Sequence, residues 1–115
     1  MVVNRSFKNR FLDGEIFYLH LIRDDGSEPD SLEYRPIKIT VGDFSSLEPR
    51  TGFRFRNHKS LYFPVSRESW GTVVGCELKD SIGEIIGEDS WFLHKDITSF
   101  TECVFFVGDI ELHSI

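Results

Sequence analysis

Serine, cysteine, histidine and carboxylate side chains are the reactive groups of this 115-residue chain, and their spacing argues against catalysis. A hydrolytic serine needs a tight elbow such as Gly-x-Ser-x-Gly to present its oxygen. Ser69 comes nearest, in "ESWG", but Arg67 stands where the first glycine belongs. Cys76 and His94 carry no local mark of a thiolate with a depressed pKa. His94 and Asp96, joined by Asp89 or His113, offer ligand atoms, yet a metal centre needs three or four convergent donors. "DSIGEIIGED" is too sparse in oxygens for a calcium-type loop. The expectation is a non-enzymatic protein with no cofactor and no metal.

Two other groups point to binding. "RTGFRFRNHK" interleaves Arg54, Arg56 and Lys59 with Phe53 and Phe55, as nucleic-acid modules do. Strand alternation, however, sets the phenylalanines opposite the arginines, whereas stacking aromatics must share the basic face. The segment therefore reads as a core strand with Arg54, Arg56 and Lys59 as a basic protein-contact edge, and no direct nucleic-acid binding is expected. Trp70 and Trp91 suggest an alternative, the sugar-stacking platform of a carbohydrate-binding, lectin-like module. The plainer reading makes Trp70 a plug at one end of the fold and Trp91 a half-buried strand residue, because an indole has so much area to bury.

The elements that must position these residues are strands. The chain has no alanine, eleven phenylalanines and many β-branched residues, a composition that fits pleated surfaces better than helices. Its length allows one domain, residues 1–115. Residues 1–67 hold eleven basic and nine acidic groups, and residues 68–115 hold two and ten. That division disfavours phosphate binding by the second half and suits oppositely charged faces meeting between subunits. No apolar run approaches the ~18 residues of a membrane span, and "MVVNRSFKNRF" carries charge where a signal peptide would be apolar. Cys76 and Cys103 are expected to be free, buried thiols in a reducing compartment.

Along the chain, residues 1–14 give one short helical lead-in, with Ser6 as cap, Phe7 and Phe11 on one face and Gly14 as terminator. "EIFYLHLIR" follows as a central strand, apolar on both faces. The acidic loop 24–31, led by Asp24 and Asp25, is a second candidate contact site, since loops carry function more often than scaffolds do. "YRPIKITV" alternates with Ile37, Ile39 and Val41 inward, and Pro36 belongs at a strand start or edge. "SSLEPRTG" reads as a connection. "TVVGCELKD" places Thr72, Val74, Cys76 and Leu78 inward, "DSIGE" is a hairpin turn, and the next strand bends near Gly87. Val107-Gly108-Asp109 is a corner before Ile110 and Leu112. About seven to eight short strands predict an all-β fold, an antiparallel β-sandwich with one short N-terminal helix.

One block is more specific. Phe63-Pro64, followed after five residues by Trp70-Gly71-Thr72-Val73, resembles the "FP…WGTV" element of small tail fibre or minor tail proteins of tailed bacteriophages. The closing Gly108-Asp109-Ile110-Glu111-Leu112 and the segment "EYRPIKITV" are similar to that family in order, although Leu32-Glu33 stands where the family has Gly-Gly before the tyrosine. The resemblance implies a structural β-sandwich subunit of a virion, made in the host bacterial cytoplasm. It would sit at the tail, collar, neck or capsid surface, with other virion proteins and copies of itself as partners. In physical terms Phe63, Pro64, Trp70, Gly71 and Val74 are expected to form structural core: Pro64 ends a strand, Trp70 fills the mouth of the core, and Gly71 turns the chain.

Overall fold

The structure is a computed structural model that describes residues 1–47 and 52–114. Its strands are β1 (Val2–Val3), β2 (Phe17–Arg23), β3 (Ile37–Ile39), β4 (Phe44–Leu47), β5 (Arg54–Asn57), β6 (Leu61–Tyr62), β7 (Gly71–Lys79), β8 (Ile85–Ile97), β9 (Val104–Phe105) and β10 (Glu111–His113). Helix α1 (Phe7–Leu12) lies between β1 and β2, and a single 3-10 turn (Val41–Asp43) joins β3 to β4. The fold is all-β with one short N-terminal helix, as the composition predicts.

Eight strands form one sheet in the order β3-β2-β7-β8-β1-β10-β5-β4, and β6 pairs with β9 in a small second sheet. Every pairing is antiparallel except β1 with β10, which run parallel. The order dictates the shape. The outermost strands, β3 and β4, are consecutive in the chain and joined by only Thr40–Asp43. Such a link spans at most about 18 Å, whereas eight flat strands would be about 34 Å wide. The sheet therefore curls until its edges approach, and its halves enclose one core.

Helix α1 closes that curl. Six residues are too few to hold a helix in water, so burial of Phe7 and Phe11 must hold it. The two rings stack 4.7 Å apart; Phe7 meets Phe17 of β2 at 4.8 Å, and Phe11 meets Phe55 of β5 at 5.2 Å and Phe44 of β4 at 5.6 Å. Arg10 ties the helix down from outside, bonding Glu15 and, at 3.0 Å, the buried Asp80, with its guanidinium over Phe17. Burial raises the Asp80 pKa, but Arg10 and the backbone N–H groups of Glu84 and Ile82 outweigh it, so the net direction is down. Gly14 ends the helix at φ +94°.

Several predicted elements appear as expected. Pro36 precedes β3, which is an edge strand, and Asp80 with Gly83 builds the β7–β8 turn. Others are corrected. Strand β2 is flanked on both sides, but only Phe17, Leu19 and Leu21 are buried; its other face is half-covered and Ile16 is exposed. Phe44–Leu47 is a strand rather than the connection expected of "SSLEPRTG", whose residues 48–51 lie outside the described residues. Val41 sits half-buried in the 3-10 turn.

Val74 is the clearest correction. It is half-exposed, and Val73 is the residue buried in the core. Between Val73 and Gly75 the pairing with β8 jumps from Lys95 to Ser90, so Val74 alone stands opposite Trp91–His94. On its other side Val74 is the extra residue of β7, with Gly75 paired to Ile22 and Val73 to the adjacent Arg23 of β2; this bulge breaks strict alternation, and the inward set becomes Val73, Cys76 and Leu78. Thr72 points out and bonds Asp96.

Candidate protein-contact surface

The block built around Trp70 is internal. Its indole is 1% exposed and meets Tyr34 edge-on at 5.2 Å and Phe63 at 6.4 Å. The indole N–H donates to Glu33 Oε1 at 3.0 Å, and the Arg67 backbone N–H donates to the same oxygen at 2.6 Å. Chiefly through the Arg67 bond, with Trp70 adding to it, the Glu33 carboxyl is held down at about 2. Phe63 is buried and Pro64 half-buried, and Gly71 takes φ +85° against the Arg23 side chain, which any Cβ would meet at 3.3 Å. Trp91 is half-buried, edge-on to Phe105, with the Lys95 ammonium over its ring. The two tryptophans thus form no shared open platform.

The predicted contact residues occupy separate elements. Arg54 and Arg56 project from the outer face of β5, which is an interior strand between β10 and β4 rather than an edge. Both are engaged: Glu111 of β10 accepts from Arg54 Nε at 2.9 Å and from Arg56 Nη2 at 3.1 Å. The Arg54 bond, reinforced by Arg56, lowers the Glu111 carboxyl to about 2. Lys59 lies 3.7 Å from Asp43. Asp24 and Asp25 are exposed at the tip after β2, where Asp25 accepts from the Ser27 N–H at 3.0 Å and Arg23 grips the Ser27 hydroxyl. The thiols of Cys76 and Cys103 are buried, and burial pushes Cys76 up to about 12, away from nucleophilic character. Among the described residues, no three His, Cys, Asp or Glu side chains converge as metal ligands.

The surface that stands out physically was not anticipated. It is the limb formed by residues 98–110, with β9 at its centre and a turn at each end. Phe100, in the first turn, is 80% exposed and adopts φ 58°, the left-handed region that β-carbon sterics disfavour. Phe106 and Val107, in the second, are each 61% exposed. Tyr62 and Val65 on the neighbouring strand segment are exposed too.

Each turn is fixed from below by a fully buried polar side chain. The Ser66 hydroxyl donates to the Thr98 carbonyl at 2.6 Å and accepts from the Thr101 N–H at 2.9 Å, while the Phe100 N–H donates to the Ser66 carbonyl at 2.6 Å. Asn57 does the same for the second turn: its Nδ2 donates to the carbonyls of Lys59 and Phe106, and its Oδ1 accepts from the Ile110 N–H at 2.9 Å. Buried, satisfied polar groups of this kind rigidify what they hold. The apolar tips are consequently displayed on fixed backbone. Their sequence signals are modest: "TSFT" puts a phenylalanine among turn formers, and "VFFVGD" runs four apolar residues into a turn, so alternation alone sends some of them outward.

No family model, curated protein or solved structure matches this chain.

Proposed function

We propose that the protein is a non-enzymatic structural component of a tailed-bacteriophage virion, at the tail, collar, neck or capsid surface, that assembles through protein–protein contacts. What carries the assembly reading is the pair of exposed apolar tips, Phe100 and Phe106-Val107, mounted on the buried clamps Ser66 and Asn57. Large apolar side chains held exposed on a rigid scaffold are what a partner-binding face offers. The virion assignment rests on the resemblance of Phe63-Pro64…Trp70-Gly71-Thr72-Val73, and burial of Trp70 is consistent with an architectural role for that block. Other virion proteins and further copies of this chain are the partners, since shells and tails repeat their contacts by symmetry. Mass spectrometry of purified particles tests the assignment. The protein is expected at a fixed stoichiometry with the major virion proteins, and its absence at good coverage would refute the location.

A further inference from the structure

We infer that the groove between β8 and β9 is a strand-acceptor site, taking one extended segment of a partner protein that is apolar at alternate positions and basic between them. The inference deepens the assembly reading and rests on it for the partner's biological setting.

Two backbone edges face this groove. On one side, β1 pairs only with Gly87 and Glu88 of β8, so Asp89–Ile97 have β7 on one flank and, among the described residues, no strand on the other. The bulge at Trp91–His94 interrupts that edge, and in the regular run after it Lys95 and Ile97 face β7, the Ile97 carbonyl accepting from the Trp70 N–H at 2.8 Å, so Asp96 is the residue whose backbone turns outward. On the other side, Leu61 pairs with Phe105 and the Phe63 N–H donates to the Cys103 carbonyl. Antiparallel pairing alternates, so residues 103 and 105 turn their backbone groups toward β6, while Glu102 and Val104 turn theirs away from it.

Between the edges lies an open groove of about 530 Å³, walled by Lys95, Asp96 and Ile97 on one side and Glu102, Val104 and Phe106 on the other. The outward backbone groups of Asp96 on one side and of Glu102 and Val104 on the other suit a short extended segment, which pairs with a sheet edge through alternate residues. The clamped tips add apolar contacts at the two ends of β9. Asp96 and Glu102 outnumber Lys95 on the walls. A basic segment is therefore favoured over an acidic one.

The test uses the full chain and a displayed library of random dodecapeptides, with enriched peptides then synthesised and titrated. Val104→Pro is the informative variant, because the N–H it deletes is the one that points away from β6, leaving the β6–β9 bonds in place. Expected results are enriched peptides alternating apolar with polar and basic residues, amide exchange at Val104 slowed at least tenfold on binding, and affinity at least tenfold weaker for Val104→Pro. Should that variant fail to fold, the same peptides methylated at alternate backbone nitrogens serve instead, and one of the two methylation registers must lose binding. No enrichment, equal binding by the variant or by both methylated registers, or peptides with apolar residues at helical spacing would overturn the inference. So would a dimer, seen by sedimentation, that dissociates on Phe100→Ser, since it would assign the surface to a second copy. A chain missing from virions that still binds such peptides would defeat the virion reading alone.

Discussion

Replacing Trp70 with alanine is the most direct test of the core. The side chain is 1% exposed, so nearly all of its area is at stake. Emptying a buried aromatic site costs about 3–5 kcal/mol, less where the surroundings collapse into the space. Here they are restrained: the Tyr34 hydroxyl is anchored by the Leu21 N–H at 2.9 Å, and the Phe63 backbone is bonded to Cys103. The Glu33 carboxylate is not stranded, because the Arg67 N–H remains. The expectation is thus the upper half of the range, about 4–5 kcal/mol, carried by packing. For a chain of this length that lowers the midpoint of thermal unfolding by roughly 16–20 °C. Denaturant unfolding followed by far-UV circular dichroism gives the free energy. Since domains hold only about 5–15 kcal/mol in reserve, Trp70→Phe, which keeps a ring and loses only the N–H, provides a variant of intermediate midpoint. A Trp70→Ala midpoint equal to that of the parent would refute the packing argument and return the indole to solvent.

Further expectations follow from named contacts. Glu33 has a folded pKa near 2 against an ordinary value near 4.5, so the stability it contributes is full above about pH 5 and is lost as pH falls toward 2; Glu33→Gln should be less stable than the parent at pH 7, and the gap should close in acid, as measured by urea midpoints across that range. Gly75→Ala should prevent stable folding, because the added Cβ would lie 2.1 Å from the Asp89 carbonyl oxygen, whereas Gly83→Ala meets nothing within 4 Å and should cost about 1–2 kcal/mol for its positive φ alone, a contrast visible in denaturation curves. Ser66→Ala should cost about 1–3 kcal/mol by leaving backbone groups of the 98–101 turn unpaired, and should speed amide exchange at Phe100 and Thr101. Glu111→Gln removes the carboxylate charge that neutralises Arg54 and Arg56, so the variant should elute from a heparin column at higher salt than the parent.

What the sequence revealed followed the strength of its periodicity. The alternating run Ile37 to Ile39 declared its inward face because burial on one side leaves a period of two, whereas Phe17 to Arg23 did not, since Tyr18 and Ile22 made a half-covered second face read as buried. Val74 was misplaced because local alternation cannot register a bulge: Val74 is the extra residue of β7, its neighbours Val73 and Gly75 pairing with the adjacent Arg23 and Ile22 of β2. β1 went unseen for a different reason. Two residues carry no period, and Val2–Val3 form a strand because Gly87 lets their backbone approach to where a Cβ would meet the Val2 oxygen at 2.7 Å. Phe44–Leu47 resembled a loop since only Phe44 is buried and Ser45 and Ser46 face out, as befits an edge strand. The basic pair was correctly sided by its alternation with Phe53 and Phe55, but its neutralisation by Glu111 depends on a strand pairing between distant segments. Phe100 was hidden most deeply, because its exposure is set by Ser66, which the local sequence around the turn does not contain.

The same logic gives Glu33 its place in this chain. The indole N–H of Trp70 is tethered by the Glu33 side chain, an acceptor that a small residue at position 33 would lack. That tether joins the segment before β3 to the turn before β7, since Glu33 receives both the Trp70 and the Arg67 donors. Two loops that composition alone marks as free are thereby locked to a core residue. Leu32, its neighbour, is left 92% exposed with no role in that lock. With the loops around Trp70 committed to holding the core, the β9 groove is where the inferred partner segment would pair. Recognition by this fold should therefore be altered by changes in residues 95–107 and be insensitive to conservative changes around Trp70.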